Sequence, residues 1–230
     1  MFSNSRMSKK KDLPLSGAEK VFTRDNWTKH VKSNNCYAYS VNDLRRFRPQ
    51  KSVPGDRTNR EPVYGFQYLT CGNLAELVEA DNPGKVYRAK ATAPCKQGFY
   101  KIMMFVAPSA DPNNAHGGDF HFYKQHGRAQ YVVRATDNYS SIARFFGVSP
   151  TTIKKYSKAK LTPGKKITFP VNLWSHKRGW ATGPLLVDAS GKTIKDPRKA
   201  DKNYSSLKYN SYCSSFCVSS SGKAKTGKNA

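Results

Sequence analysis

Three residues carry the clearest capacity for chemistry. Cys36 lies in Asn34-Asn35-Cys36-Tyr37-Ala38-Tyr39, His121 in Asp119-Phe120-His121-Phe122-Tyr123, and His176 in Trp174-Ser175-His176-Lys177. Asparagine just ahead of a helical apolar pattern is a favoured N-cap, so the spacing predicts a helix that starts near Cys36. A thiol at that position meets the positive end of the helix dipole, which favours the nucleophilic thiolate. Such a nucleophile needs an imidazole as general base and a third polar group to orient it, and the two histidines are available. The full cysteine set, Cys36, Cys71, Cys95, Cys213 and Cys217, is odd in number and is not preceded by an export signal. Reduced thiols are therefore expected rather than a disulfide framework. Cys213-x-x-x-Cys217 has no nearby histidine or acidic cluster, so neither a metal nor another cofactor is expected. His116 and His126 flank loops and receive no role.

The elements that must hold these residues read as an α+β pattern. Leu74 to Ala80 has the spacing of a short helix, and Tyr100 to Ala107 the apolar density of a buried strand. Asp119 to Lys124 alternates in strand fashion, Leu173 to Lys177 forms the next strand, and Val187 to Ile194 reads as strand, turn and strand.

Between the two histidine strands, Tyr131 to Arg134 begins a strand, and Asp137 to Ser140 is a helix N-cap region. Ile142 to Phe146 gives a short apolar helix face closed by Gly147. A second helix, Thr151 to Tyr156, follows Val148-Ser149-Pro150, with proline where a helix start tolerates it, and Leu161 to Pro170 supplies a turn and a closing strand. Tyr131-x-Val133, Asp137, Ser141-Ile142-Ala143, Phe146-Gly147-Val148-Ser149, Ile153 and Leu161-x-Pro163-Gly164-x-x-Ile167-x-Phe169-Pro170 resemble, in order and spacing, a LysM module. The chain departs from that pattern at Thr136, where the family has glycine, and at Ser157, where it has asparagine. The resemblance implies binding of N-acetylglucosamine polymers between two loops: Asp137, Asn138, Tyr139 and Ser140 on one side, Ala159, Lys160, Leu161 and Thr162 on the other. A single module of this kind binds weakly, because shallow sugar sites hold few apolar anchors.

Asn35-Cys36-Tyr37-Ala38-Tyr39 followed by Asp119-Phe120-His121-Phe122-Tyr123 also resembles the papain-like NlpC/P60 and CHAP cysteine hydrolases. That resemblance implies a papain-like helix plus antiparallel sheet with the βααβ module inserted. In it Cys36 attacks a carbonyl, His121 shuttles the proton, His176 orients His121, and an amide at the helix start helps hold the oxyanion. The expected organisation is a basic flexible tail (1–20), a discontinuous α+β domain (21–128 and 172–218), the module (129–171) and a second flexible tail (219–230). An insertion at a hairpin tip is well tolerated, and it would make the sugar loops neighbours of the catalytic residues.

Forty Lys+Arg against fifteen Asp+Glu give a formal charge of +25, a field that attracts nucleic acid, anionic polymers or acidic neighbours. No stretch approaches the ~20 apolar residues of a membrane span, and Met1 to Lys20 lacks an apolar core of signal-peptide length, so synthesis in a cytoplasm is expected. Two functions follow. One is a wall-directed cysteine peptidase or amidase with a glycan grip. The other is a non-catalytic virion component, from a large DNA virus or phage, whose basic surface meets capsid proteins or nucleic acid. Plain DNA binding ranks third: aromatics are not interleaved with the basic runs, and no groove-reading motif is present.

Overall fold

Apolar density decides the centre of the fold. The computed structural model describes residues 12–46, 51–58, 69–108, 118–204 and 207–227. Its strands are β1 (Val86–Ala89), β2 (Phe99–Ala107), β3 (Asp119–Val132), β4 (Lys166–Lys177), β5 (Pro184–Leu185), the two-residue β6 (Asn203–Tyr204) and β7 (Leu207–Lys208), and β8 (Ser211–Ser219). β2, apolar at nearly every position, lies inside a sheet of order β1-β8-β2-β3-β4-β5 in which each neighbouring pair is antiparallel. β6 and β7 pair separately. The helices are α1 (Asp25–Lys29), α2 (Cys36–Ser40), α3 (Cys71–Ala80), α4 (Tyr139–Phe146) and α5 (Pro150–Tyr156). The class is α+β with an antiparallel sheet. Among the described residues no helix is long and apolar enough to cross a membrane.

The two-residue period of a strand sorts side chains to opposite faces. Phe120 and Phe122 of β3 join Ile102, Met104 and Phe216 under α2 and α3. Tyr123 joins Met103, Phe105, Trp174 and Tyr209 on the other face, and the His121 ring lies 5.2 Å from that of Tyr123. Each large apolar side chain so buried contributes roughly 1.5–3 kcal/mol.

β3 and β4 continue past a bulge between His126 and Arg128 and carry α4 and α5 at their far end. Asn138 and Ser141 form a reciprocal capping box at the start of α4, and Gly147 at φ +62° ends it in the left-handed conformation that glycine adopts freely. Ser149 caps α5, with Pro150 at its first position. Ile142, Phe146, Ile153, Ile167 and Phe169 make the local core, and Phe22 and Leu186 from outside the segment complete it.

Four cysteines depart from the expectation of reduced thiols: Cys71 pairs with Cys213 and Cys95 with Cys217, leaving Cys36 free and buried. The partners are 142 and 122 residues apart, so the sequence gives no local sign of them. A register shift between Met104 and Phe105 inserts an extra residue at Cys213. Cys213 therefore turns toward the α3 side while Cys217, four positions on, projects from the opposite face. The predicted strand-turn-strand at Val187 to Ile194 reduces to one bridge, Val187 with Thr193, around a turn in which the Asp188 carboxylate accepts from the Ser190 and Lys192 amides. Residues 219–227, read in the sequence as loose tail, are docked: Thr226 donates through both its amide (2.9 Å) and hydroxyl (3.1 Å) to Asp43. Lys9 to Lys11 and His116 lie outside the described residues.

Buried lysines bind the loops to the sheet. Lys101, Lys124, Lys177 and Lys202 are each no more than 5% exposed, and their ammonium groups donate to loop or helix-end carbonyls: Lys101 to Lys90, Ala91 and Ala93; Lys124 to Tyr39; Lys202 to Pro197 and Ala200. Burial lowers Lys101 and Lys177 to about 8, so both are still mainly protonated at neutral pH.

Candidate active site

α2 is a single buried turn whose place is set by polar contacts. The Asn35 side chain accepts from the Ala38 amide at 3.1 Å and donates to the Ser52 carbonyl at 2.6 Å. Lys177, the last residue of β4, donates to the carbonyls of Asn34 (2.6 Å) and Val31 (2.9 Å), and also to that of Gly179. The turn bearing Cys36 is thus stitched to the strand end beside His176.

At this end of the sheet β4 leaves β3, and a cleft of about 270 Å³ opens, lined by Cys36, Asp119, His121, Arg178, Trp180 and Tyr209 among others. Cys36 comes from the helix-covered face and His121 from the opposite one. They share the cleft wall without a hydrogen bond between them; the thiol donates instead to the Phe120 carbonyl at 3.7 Å. His176 does not line the cleft but stands behind His121, with His121 Nε2 and His176 Nδ1 2.8 Å apart. The three predicted catalytic residues are therefore gathered in one region, two lining the cleft and one behind.

The histidine tautomers follow from one acceptor. His176 Nε2 lies 3.0 Å from the Val187 carbonyl, which only accepts, so Nε2 carries the proton. Burial holds His176 down at about 4, so at neutral pH its Nδ1 is bare and accepts from His121 Nε2. His121 Nδ1 is then left unprotonated, the form a general base requires.

The electrostatics overturn the expectation of a dipole-stabilised thiolate. Burial, and next the Asp119 carboxylate, push the Cys36 thiol up to about 12, and a helix of five residues does not offset them. His121 is held well below its ordinary range, first by burial and then by His176 and Arg178. The resting pair is a neutral thiol beside a neutral imidazole. Asp119 is itself engaged: it accepts from the Tyr209 hydroxyl (2.9 Å), from its neighbouring Phe120 amide (2.9 Å) and from Lys51 (3.3 Å).

Lys51, Arg178, Trp180, Tyr204 and Tyr209 complete the cleft and were not singled out in the sequence. Arg178 and Trp180 follow His176 closely enough for that proximity to have flagged them, whereas Tyr209 reaches the site only through the return of the chain toward β8. His126 lies within β3, not beside a loop. Its Nε2 meets the Ser175 hydroxyl at 2.6 Å, Ser175 meets Tyr39 at 2.5 Å, and Nδ1–H donates to the Lys20 carbonyl at 2.7 Å. With Tyr39, Ser175 and His126 all no more than 1% exposed, this network joins strands and α2 and offers no access to substrate.

Contrary to the expectation from the sequence, the insertion does not make the sugar loops neighbours of the catalytic residues; they lie at the far end of β3 and β4, away from the cleft. Asp137 is committed internally, accepting from the Tyr131 hydroxyl (2.8 Å) and the Arg134 amide (2.7 Å), and Asn138 is spent on its cap. Tyr139 and Leu161 lean partly on the local core, while Ser140, Ala159, Lys160 and Thr162 are exposed. Lys158 and Ala159 both adopt positive φ, +55° and +56°, a costly conformation for residues with a Cβ. Among the described residues no group of three or more His, Cys, Asp or Glu side chains could hold a metal ion. Comparison of the chain with protein-family models, with curated proteins and with solved structures finds no match.

Proposed function

We propose that this chain is a cysteine peptidase or amidase directed at cell-wall material, with a weak N-acetylglucosamine grip at the far end of β3 and β4. The observation that carries the reading is that Cys36 and His121 line one cleft, with His121 Nε2 engaged by His176 behind it. In the proposed reaction the sulfur attacks an amide carbonyl as His121 Nδ1 takes the thiol proton. The resulting imidazolium then gives that proton to the leaving nitrogen, and water releases the acyl group from sulfur. Because thiol and imidazole rest neutral, proton transfer accompanies attack rather than preceding it. His176 keeps the ring oriented throughout. Disulfides, which persist in oxidising surroundings, suit action outside a cell.

The decisive measurement is release of soluble fragments from peptidoglycan and other wall preparations by the wild type and by Cys36→Ala. The reading requires the variant to lose the activity. Undiminished release by Cys36→Ala would refute the assignment of the nucleophile. For the grip, retention on chitin or peptidoglycan beads should survive high salt, whereas attraction through the +25 charge is screened away.

A second reading, a non-catalytic virion protein with a basic surface for nucleic acid or acidic neighbours, draws on the raised thiol and the missing Cys36–His121 hydrogen bond. It gains if the wild type degrades no wall preparation.

A further inference from the structure

The cleft around Cys36 is charged unevenly. Its carboxylate, Asp119, accepts from Tyr209, Lys51 and the Phe120 amide, and so pairs the half-exposed Lys51. Arg178 is different. Its backbone amide donates to Thr182, but among the described residues its guanidinium meets no carboxylate. Instead it lies over the Tyr204 ring at 4.7 Å, and it is exposed at the cleft wall it shares with Cys36 and His121. The ring contact at 4.7 Å holds the guanidinium at the cleft wall while no carboxylate occupies its N–H groups, and a guanidinium can meet a carboxylate with two parallel hydrogen bonds.

We infer that Arg178 is a specificity residue that binds a carboxylate on the substrate, close to the amide bond that Cys36 attacks. This rests on the hydrolase reading above and narrows it: the preferred substrates are acyl or peptide units with a free carboxylate beside the scissile bond, and amidated counterparts are poor. The inference also gives Arg178 a link to the base. Its charge is one of the influences that disfavour protonation of His121 and His176, so a bound carboxylate would relieve that influence as the substrate arrives.

Cys36 is the one free thiol of the chain, so its alkylation reports on the cleft without requiring turnover. Iodoacetate and iodoacetamide form the same sulfur–carbon bond with loss of iodide, and differ in that the first carries a carboxylate. The ratio of their rates at Cys36, measured at pH 8.5 and low salt, is compared with the ratio for the urea-unfolded, disulfide-intact chain. The folded wild type should favour iodoacetate by about tenfold over that reference, the scale of one charge-assisted hydrogen bond. Arg178→Met should return the ratio to the reference, and Arg178→Lys should keep part of the preference. An equal ratio in wild type and Arg178→Met, with both reagents still reacting, overturns the role of Arg178 and leaves the hydrolase reading standing. If neither reagent modifies Cys36 in the folded chain even as the pH is raised well above 8.5, where the thiolate fraction grows, the nucleophile is inaccessible and the hydrolase reading falls, taking this inference with it.

Discussion

Cys36 shows how a residue can be legible in type and misread in state. The Asn35-Cys36 junction announces an N-cap and a thiol at a helix start, and both are found. The sequence does not display the Phe120 carbonyl, Asp119 or the enclosing side chains that keep the proton on sulfur. Alkylation of the folded chain by iodoacetamide should therefore show no thiolate plateau between pH 5 and 8 and should rise with pH toward about 12. A plateau near pH 6 would mean that a thiolate–imidazolium pair exists at rest. Replacing His121 by alanine should lower hydrolysis by roughly 10²–10⁴-fold, the range that a general base supplies, while leaving that alkylation profile unshifted. Tyr209 was hidden for a simpler reason: its place in the cleft cannot be read before β4 and the chain leading to β8 are brought to one end of the sheet, whereas Arg178 stands two residues after His176 and was open to notice.

At the level of elements, local chemistry was the readable part. Asn138, Gly147, Ser149 and Pro150 mark the ends of α4 and α5 through caps that depend on near neighbours. β8 was unreadable because its polar run Ser211 to Ser215 resembles a loop until β1 and β2 pair with it on either side. The turn after α5 offers a stability test. Ala159 sits at φ +56°, so Ala159→Gly should raise the urea midpoint by the equivalent of about 1 kcal/mol, since glycine adopts this conformation at little cost. An unchanged or lowered midpoint would show that the turn is not strained. Lys177→Met has the opposite expectation: it strips the donor from the Val31, Asn34 and Gly179 carbonyls, a loss of about 1–3 kcal/mol wherever such an acceptor becomes buried and unpaired.

The molecule as a whole is held by long-range ties rather than by apolar area alone: 37% of its residues are hydrophobic, and two disulfides clasp β8 to segments more than a hundred residues away. Cys213→Ser or Cys95→Ser should each lower stability by about 2–4 kcal/mol, read as a drop in melting temperature that reductant reproduces in the wild type. Acid should weaken the fold for a separate reason. Burial lowers His126 to about 3 and His176 to about 4, so the unfolded chain, with histidines near 6.5, binds their protons first. Their contribution is complete above pH 6.5 and is lost as pH falls from there toward 4 and 3, which a series of urea midpoints will follow; a flat series would mean that these rings are not held neutral. The two long strands carry one more consequence. From His121 to Val132, β3 runs through eleven residue steps, about 36 Å at roughly 3.3 Å per step, and β4 stiffens it along much of that length. A polymer gripped at one end of this beam would meet the cleft at a set spacing, so the strand pair would act as a ruler, and the lengths of the released fragments would cluster instead of spreading at random.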